Sequence, residues 1–284
     1  MTPQLNDRDF ARFQKLILDE TGIYLAPVKK ALLVGRLGSR LRHLGLTKFR
    51  DYFEVVIGDE AELVEMLDRV CTNETHFFRD PRQFTFLRKV VIPEWQRQAA
   101  LGLRNRSIRI WSAACSSGEE PYSLAMLLKN ELDSCRPAWQ IDILATDLST
   151  RVLAKAREGV WPAEKVTEIP DALLKKYMLK GVRAQAGKIK VGPEIREIVH
   201  FDRLNLIDEA PPVRSDFDAI FCRNVLIYFN AETKKDVLTR LLSRVAPAGY
   251  LFLGQAETMN AISDRAKMAG PGAYQPLEPR RTGA

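Results

Sequence analysis

The sequence predicts an α/β protein in which a Rossmann-like, doubly wound parallel sheet follows a small all-helical N-terminal domain and is interrupted by a small antiparallel β insertion. Three observations predict it. Residues 1 to about 72 carry their apolar positions only at helical spacing. Beyond Pro81, short β-rich apolar runs alternate with amphipathic helical stretches, the rhythm of buried parallel strands and crossover helices. Between about 161 and 198 that alternation lapses into a short helical run and glycine-punctuated strand pieces.

Taken in order, Asn6 or Asp7 caps a first helix with Phe10, Phe13, Leu16 and Ile17 on one face, stopped near Gly22. Pro27 opens a second, striped by Leu33, Leu37, Leu41 and Leu44. Thr47 caps a third carrying Phe49, Tyr52 and Val56, and Ala61 to Arg69 forms a fourth. Residues 73–84 join this domain to the rest, and 85–284 form the sheet domain. Its strands are "SIRIWSA", "WQIDILATD", "VHFDRLNL", "FDAIFCRN" and "GYLFLGQ", with helices "EEPYSLAMLLKNEL", "TRVLAKARE" and "AETKKDVLTRLLSRV" among them. "DALLKKYML" is the helix of the insertion, and the tail "QPLEPRRTGA" is expected to be disordered. In such a sheet the ligand site lies at the carboxyl ends of the strands, near the topological switch point.

Composition excludes several classes. A chain of 284 residues, 46% hydrophobic and 28% charged, is that of an ordinary globular protein. No apolar run approaches the roughly 18 residues of a membrane span, and the polar start "MTPQ" is no signal peptide. Cys71, Cys115, Cys135 and Cys222 are scattered without a CxxC pair, and His43, His76 and His200 show no ligand spacing. Reduced thiols, a cytoplasmic location and no metal are therefore expected. The net charge of +7 points to an acidic partner.

The linker and the first βα turn carry the chemistry. "CTNETHFFRDP" is too apolar for a solvated connector. Locally, Asp80 and Pro81 read as a helix N-cap and first turn, with Phe77 or Phe78 stapled onto the helix or buried between domains. In "WSAACSSGEEPYS" one glycine, Gly118, precedes Glu119 and Glu120, which matches neither GxGxxG nor a P-loop. Acids in a helical first turn compete with phosphate for the positive helix end, whereas an ammonium or sulfonium ligand such as S-adenosylmethionine suits them. They are equally good first-turn residues without a ligand. Asp147 ends the next strand, where an acid accepts ribose hydroxyls or caps the following helix.

"TNETHFFRD", "IWSAACSSGEEPYSLA", "ATDLSTRVLAKAREGVW", "RLNLID" and "FDAIFCRNVLIYF", in this order, resemble the chemotaxis receptor methyltransferases, the CheR family, through nearly the whole chain. The resemblance implies transfer of methyl from S-adenosylmethionine to glutamate side chains of bacterial chemoreceptors, giving the methyl ester and S-adenosylhomocysteine. It implies that Asn73, Thr75 and Arg79 contact the cofactor from the linker, Glu119 its methionine end and Asp147 its ribose. Asn205 and Leu206 would border the adenine, with Arg223 and Asn224 closing the site near Tyr228.

An ionised glutamate is already a nucleophile, so such a reaction needs alignment and dehydration rather than a strong base or a metal. Arg79 and Tyr228 are the candidate catalytic groups. Lys29, Arg36, Arg40 and His43 share one face of the second helix, and no acid lies between Glu20 and Asp51. That face is expected to dock the acidic methylation helices of a receptor, unless it is merely solvated. The insertion is a candidate site for a receptor's tethering C-terminal peptide, and a monomer is expected. Two rivals remain: a nucleic-acid methyltransferase and a non-catalytic S-adenosylmethionine sensor. Where base-methylating enzymes carry [DN]PPY this chain reads "CRNVLIY", and its one Pro-Pro, at Pro211 and Pro212, precedes the strand.

Overall fold

A computed structural model describes residues 4–209, 213–262 and 264–277. The helical unit comprises α1 (Asp7–Thr21), α2 (Lys30–His43, entered through a 3-10 turn at Pro27–Lys29), α3 (Phe49–Gly58) and α4 (Glu60–Val70). Asn6 caps α1 by accepting from the Asp9 amide, and Asp59 caps α4. Thr47 does not cap α3; Lys48 holds that position without a side-chain bond. Phe13, Ile17, Leu33, Leu37, Leu41, Phe49 and Tyr52 form a core belonging to this unit alone.

A longer helical stretch follows: α5 (Pro81–Phe86), a π turn (Leu87–Val91) and α6 (Ile92–Ala100). Pro93 has no N–H to give and its ring presses on the preceding turn, so the wider π turn accommodates it there. Next come β1 (Ser107–Ala113), α7 (Glu119–Leu132), β2 (Gln140–Asp147) and α8 (Thr150–Glu158). The insertion holds β3 (Val160–Pro162), α9 (Asp171–Tyr177), β4 (Met178–Lys180) and β5 (Lys188–Val191), ordered β3-β5-β4 and antiparallel. After α10 (Pro193–Arg196) the chain returns through β6 (Val199–Arg203), β7 (Phe217–Cys222), α11 (Ala231–Ser243), β8 (Val245–Leu253), β9 (Ala266–Gly270) and β10 (Ala273–Pro276).

The main sheet has seven strands in the order β6-β2-β1-β7-β8-β10-β9. Its first five strands are parallel; β10 runs antiparallel to β8, and β9 to β10. The β9–β10 pair is an addition to the expected strands, and it takes in Gln275 and Pro276 of the tail read as disordered. Leu277 follows β10, its amide donating to Arg265 O at 2.8 Å, while residues 278–284 of that tail and the pair Pro211–Pro212 fall outside the described residues. From β1 the chain winds one way through β2 to β6 and later the other way through β7 and β8. The switch point therefore lies between β1 and β7, as a doubly wound sheet requires.

The helical unit sits over the carboxyl ends of these strands. Ile23 bridges Phe229, the Tyr24 amide donates to Tyr228 O at 2.8 Å, and Asn205 Nδ2 donates to Glu20 O at 2.7 Å. Thr150 Oγ1 donates to Asp68 Oδ2 at 2.9 Å. Gly22, with φ +71°, makes the approach close: a Cβ there would lie 2.5 Å from Ile207 Cγ2 and 2.9 Å from Thr233 Cγ2. Among the described residues no helix is long and apolar enough to cross a membrane.

Candidate active site

A cavity of about 870 Å3, partly open to solvent, lies at the switch point beneath the linker. Its floor comes from the loops after β1 (Ala114, Cys115, Ser116, Glu120), β2 (Asp147, Leu148), β6 (Leu204, Asn205, Leu206) and β7 (Arg223, Asn224, Val225, Tyr228, Phe229). The linker roofs it with Cys71, Thr72, Asn73, Glu74, Thr75 and Arg79, and Thr21 and Ile23 close one side.

Local backbone explains how these groups converge. Among the described residues, the non-glycine positions with positive φ are Phe78, Asp80, Ala114, Ser116, Arg183, Asp216 and Asn224. All but Arg183 and Asp216 belong to the linker or to loops of the floor. Strained backbone of this kind persists where surrounding bonds over-determine it, and it gathers at functional sites. Ser116 shows how: its amide donates to Asp147 Oδ2 at 2.9 Å and its hydroxyl to Asn73 O at 3.1 Å, so one residue joins floor and roof. Asp80 stands at the expected N-cap position before Pro81, but its side chain does not cap the helix. It sits in the left-handed region without a capping bond, and its carboxylate faces Gln255 and Arg223 instead. Phe77 belongs to the sheet domain's core against Trp161, ring centroids 5.0 Å apart, while Phe78 packs on Phe84 of α5 at 4.9 Å.

The two acids of α7's first turn part company. Glu119 accepts from the Trp161 indole at 3.0 Å and from Ser117 Oγ at 2.8 Å, turned toward the insertion and away from the cavity. Glu120 lines the cavity, accepts from Ser112 Oγ at 2.6 Å and stands 2.8 Å from Arg223 Nε. That approach is off the N–H axis, so it is an ion pair rather than a hydrogen bond. Arg223 Nη1 donates to Arg79 O at 2.8 Å and to Gln83 Oε1 at 3.0 Å, and Arg79 Nη1 donates to Glu74 O at 3.0 Å. Of the two, Glu120 lines the cavity, whereas Glu119, the acid expected at the methionine end, does not. At about 100° per residue adjacent helical positions face apart, and with Glu119 and Glu120 equally rich in buried neighbours no periodicity in the sequence decides between them.

Burial dominates the electrostatics. It raises the pKa of Asp147 above the ordinary carboxylate value, against the opposing pull of the Ser149 and Ser116 amides. Burial likewise raises Glu120, with the Arg223 charge pulling it back down. The Cys71 thiol is pushed up to about 12 by burial and by Asp147, and Cys115 well above its usual value. Neither is a thiolate at neutral pH, so a cysteine nucleophile is disfavoured here. Asn73 Nδ2 and Asn224 Oδ1 are buried with no protein partner, a donor and an acceptor of the kind a polar ligand completes.

Of the residues expected at the site, Asn73, Thr75, Arg79, Asp147, Asn205, Leu206, Arg223, Asn224 and Tyr228 are brought together around the cavity. The docking face fares differently. Arg40 holds the buried Glu62, Nε to Oε1 at 2.9 Å, beside the Tyr52 hydroxyl. Arg36 donates to Thr72 Oγ1 at 2.8 Å and to Val70 O. The acid-free stretch around α2 concealed these bonds because their acceptors lie on α4 and at its end. Lys29 and His43 remain exposed.

Strand tips, switch-point cavity and buried acids without a phosphate-binding turn fit an adenosyl sulfonium, and the fold and site together define an S-adenosylmethionine-dependent methyltransferase. Residues 73–273 match the S-adenosylmethionine-binding domain of CheR methyltransferases, and residues 8–71 match the family's all-alpha domain. The chain belongs to the CheR methyltransferase family. It is similar to the chemotaxis protein methyltransferase of Borreliella burgdorferi, 38% identical over 88% of each chain. It is 37% identical to chemotaxis protein methyltransferase 2 of Pseudomonas aeruginosa, over 94% of this chain and 92% of that one. With the Escherichia coli chemotaxis protein methyltransferase the identity is 35%, over 95% and 91%.

Proposed function

We propose that this methyltransferase esterifies glutamate side chains of bacterial chemoreceptors, leaving glutamate 5-methyl ester and S-adenosylhomocysteine. The observation that carries the reading is similarity to chemotaxis protein methyltransferases over 88–95% of the chain, joined to a switch-point cavity lined by Asn73, Arg79, Glu120 and Asp147. S-adenosylmethionine, when bound, supplies a methyl already activated on a sulfonium. Asn73, Thr75 and Arg79 hold it from the roof, Glu120 takes its ammonium end, and Asp147 takes the ribose hydroxyls. Asn205 and Leu206 border the base, with Arg223 and Asn224 at the remaining side. Arg79 and Tyr228 orient the incoming carboxylate in line with the methyl. Arg79 is tethered to Glu74 O and so fixes geometry more than it neutralises charge, since an over-strong ion pair would stabilise the ground state. Alignment of this kind supplies roughly 7–11 kcal/mol of barrier lowering.

On this reading the protein works as a monomer in the cytoplasm. Receptor methylation helices approach along the exposed side of α2, past Lys29 and His43, and a tethering peptide engages the β insertion. Incubation with methyl-labelled cofactor and receptor cytoplasmic fragments, or RNA, tests it. Base-labile label on the receptor fragment is expected. Label on RNA would favour a nucleic-acid enzyme, and cofactor binding without any transfer would favour a sensor. Arg79→Ala and Tyr228→Phe should each lower turnover at saturating receptor; wild-type turnover in both would remove those two roles.

A further inference from the structure

Glu257, in the loop after β8, is buried and lies outside the cavity lining, yet it is bonded to the loop that forms the cavity's far side. Its Oε1 accepts from the backbone amides of Leu226 at 2.8 Å and Ile227 at 3.3 Å. Its Oε2 accepts from Asn224 N at 2.8 Å and Gly254 N at 2.7 Å. These amides include the free N–H groups at the start of the 3-10 turn Leu226–Tyr228, which has no other side-chain cap. A Cβ at Gly254 would lie 2.7 Å from Glu257 Oε2 and 2.9 Å from both Asn224 N and Asn224 Nδ2, so the clamp closes only around a glycine.

What the clamp holds is specific. Asn224 is in the left-handed region at φ +60°, sparsely populated by residues with a side chain. Its Oδ1 is buried without a partner, and both Asn224 and Tyr228 line the cavity. A carboxylate binding several amides of one turn fixes that turn far more tightly than a single bond would. We propose that Glu257 is a positioning residue for methyl transfer: by clamping the Asn224–Ile227 turn it sets the Asn224 amide against the cofactor and Tyr228 against the substrate. The inference rests on the cavity being the cofactor site.

The test is Glu257→Gln in the full chain, which turns one accepting oxygen into an NH2 that faces amide donors. The expected result is a roughly tenfold or larger rise in the Kd for S-adenosylhomocysteine by calorimetry. A fall in kcat should accompany it, while the receptor KM stays unchanged. Because both changes act through the same amide, Glu257→Gln combined with Asn224→Ala should bind no worse than Asn224→Ala alone. Unchanged affinity and kcat in a folded Glu257→Gln protein, or losses that simply add in the double variant, would overturn the proposal. Should the variant not fold, hydrogen exchange in the wild type decides. Slow exchange at the Leu226 and Ile227 amides supports the clamp, and exchange at open-loop rates overturns it. A wild type that binds no S-adenosylhomocysteine would instead sink the reading of the cavity on which the clamp depends.

Discussion

On the floor of the cavity, backbone amides hold side chains: Ser116 and Ser149 grip Asp147, and the Asn224–Ile227 turn grips Glu257. On the roof the relation is reversed, and side chains hold backbone. Arg36 reaches the Val70 carbonyl, Arg151 Nη2 reaches Asp68 O at 3.0 Å, and Asn205 reaches Glu20 O. The floor's amides are fixed by strand ends and helix starts, so its geometry is inherited from the sheet. The roof depends on a few polar side chains, of which Arg151 and Asn205 cross from the sheet domain to the helical unit while Arg36 ties the end of α4 from within it. Floor and roof should therefore fail in different ways: the floor through affinity and folding together, the roof through affinity while the sheet stays intact.

The sharpest way to break that contrast is at Asp147, where Asp147→Ala removes the proposed ribose contact and the partner of two amides. A loss of roughly a hundredfold or more in S-adenosylhomocysteine affinity is expected by calorimetry. Next in size is Arg40→Ala, which strands the buried Glu62. Breaking a fully buried pair costs about 3–5 kcal/mol. With the guanidinium partly wet, roughly 2–3 kcal/mol is expected, read by urea denaturation of the helical unit, with cofactor affinity kept. Arg36→Ala is smaller and more telling. As a holder of the linker it should weaken the cofactor roughly three- to tenfold and spare the receptor KM; a pure docking residue would do the opposite.

The smallest effect is in the pH profile. Burial raises the pKa of Asp147, so its contribution to stability is full below its unfolded value and is lost as pH climbs through the raised one. The wild type should lose stability relative to Asp147→Asn across that interval. A bound cation favours the ionised form, so the cofactor should restore part of the loss on its alkaline side. Urea midpoints with and without ligand check both signs.

Much of this contrast was legible in the sequence on one side only. The parallel strands are apolar runs too long and too β-rich to be turns, and the cap Asn6 stands where helical periodicity starts; the helix after β2 is capped by Ser149 rather than by Asp147. Asp147 is legible as a cavity residue because strand ends in a doubly wound sheet are ligand positions by topology, whereas Asn224 is reached only through the resemblance to the CheR family. The roof's fasteners were hidden by distance: Arg40 meets Glu62 on α4 and Arg36 meets Val70 O and Thr72 at its end, so two cations of a face lacking acids in sequence are engaged in space. Which of Glu119 and Glu120 faces the cavity is not written in the sequence, because adjacent first-turn acids carry the same signal, and Glu257 escapes it because a lone acid in a loop carries no periodic signal. The β9–β10 pair escaped notice because its strands are short and half exposed.

Gly22 has a consequence for the cavity's mouth. Where a side chain would sit, Ile207 and Thr233 already do, so the stand-off between helical domain and sheet is gauged by a missing methyl group. Alanine at that point would work as a shim, tilting α1 outward about the Ile23–Phe229 bridge. The lip at Thr21 would then lift while Ile23 stayed pinned, and the mouth of the cavity would widen to water.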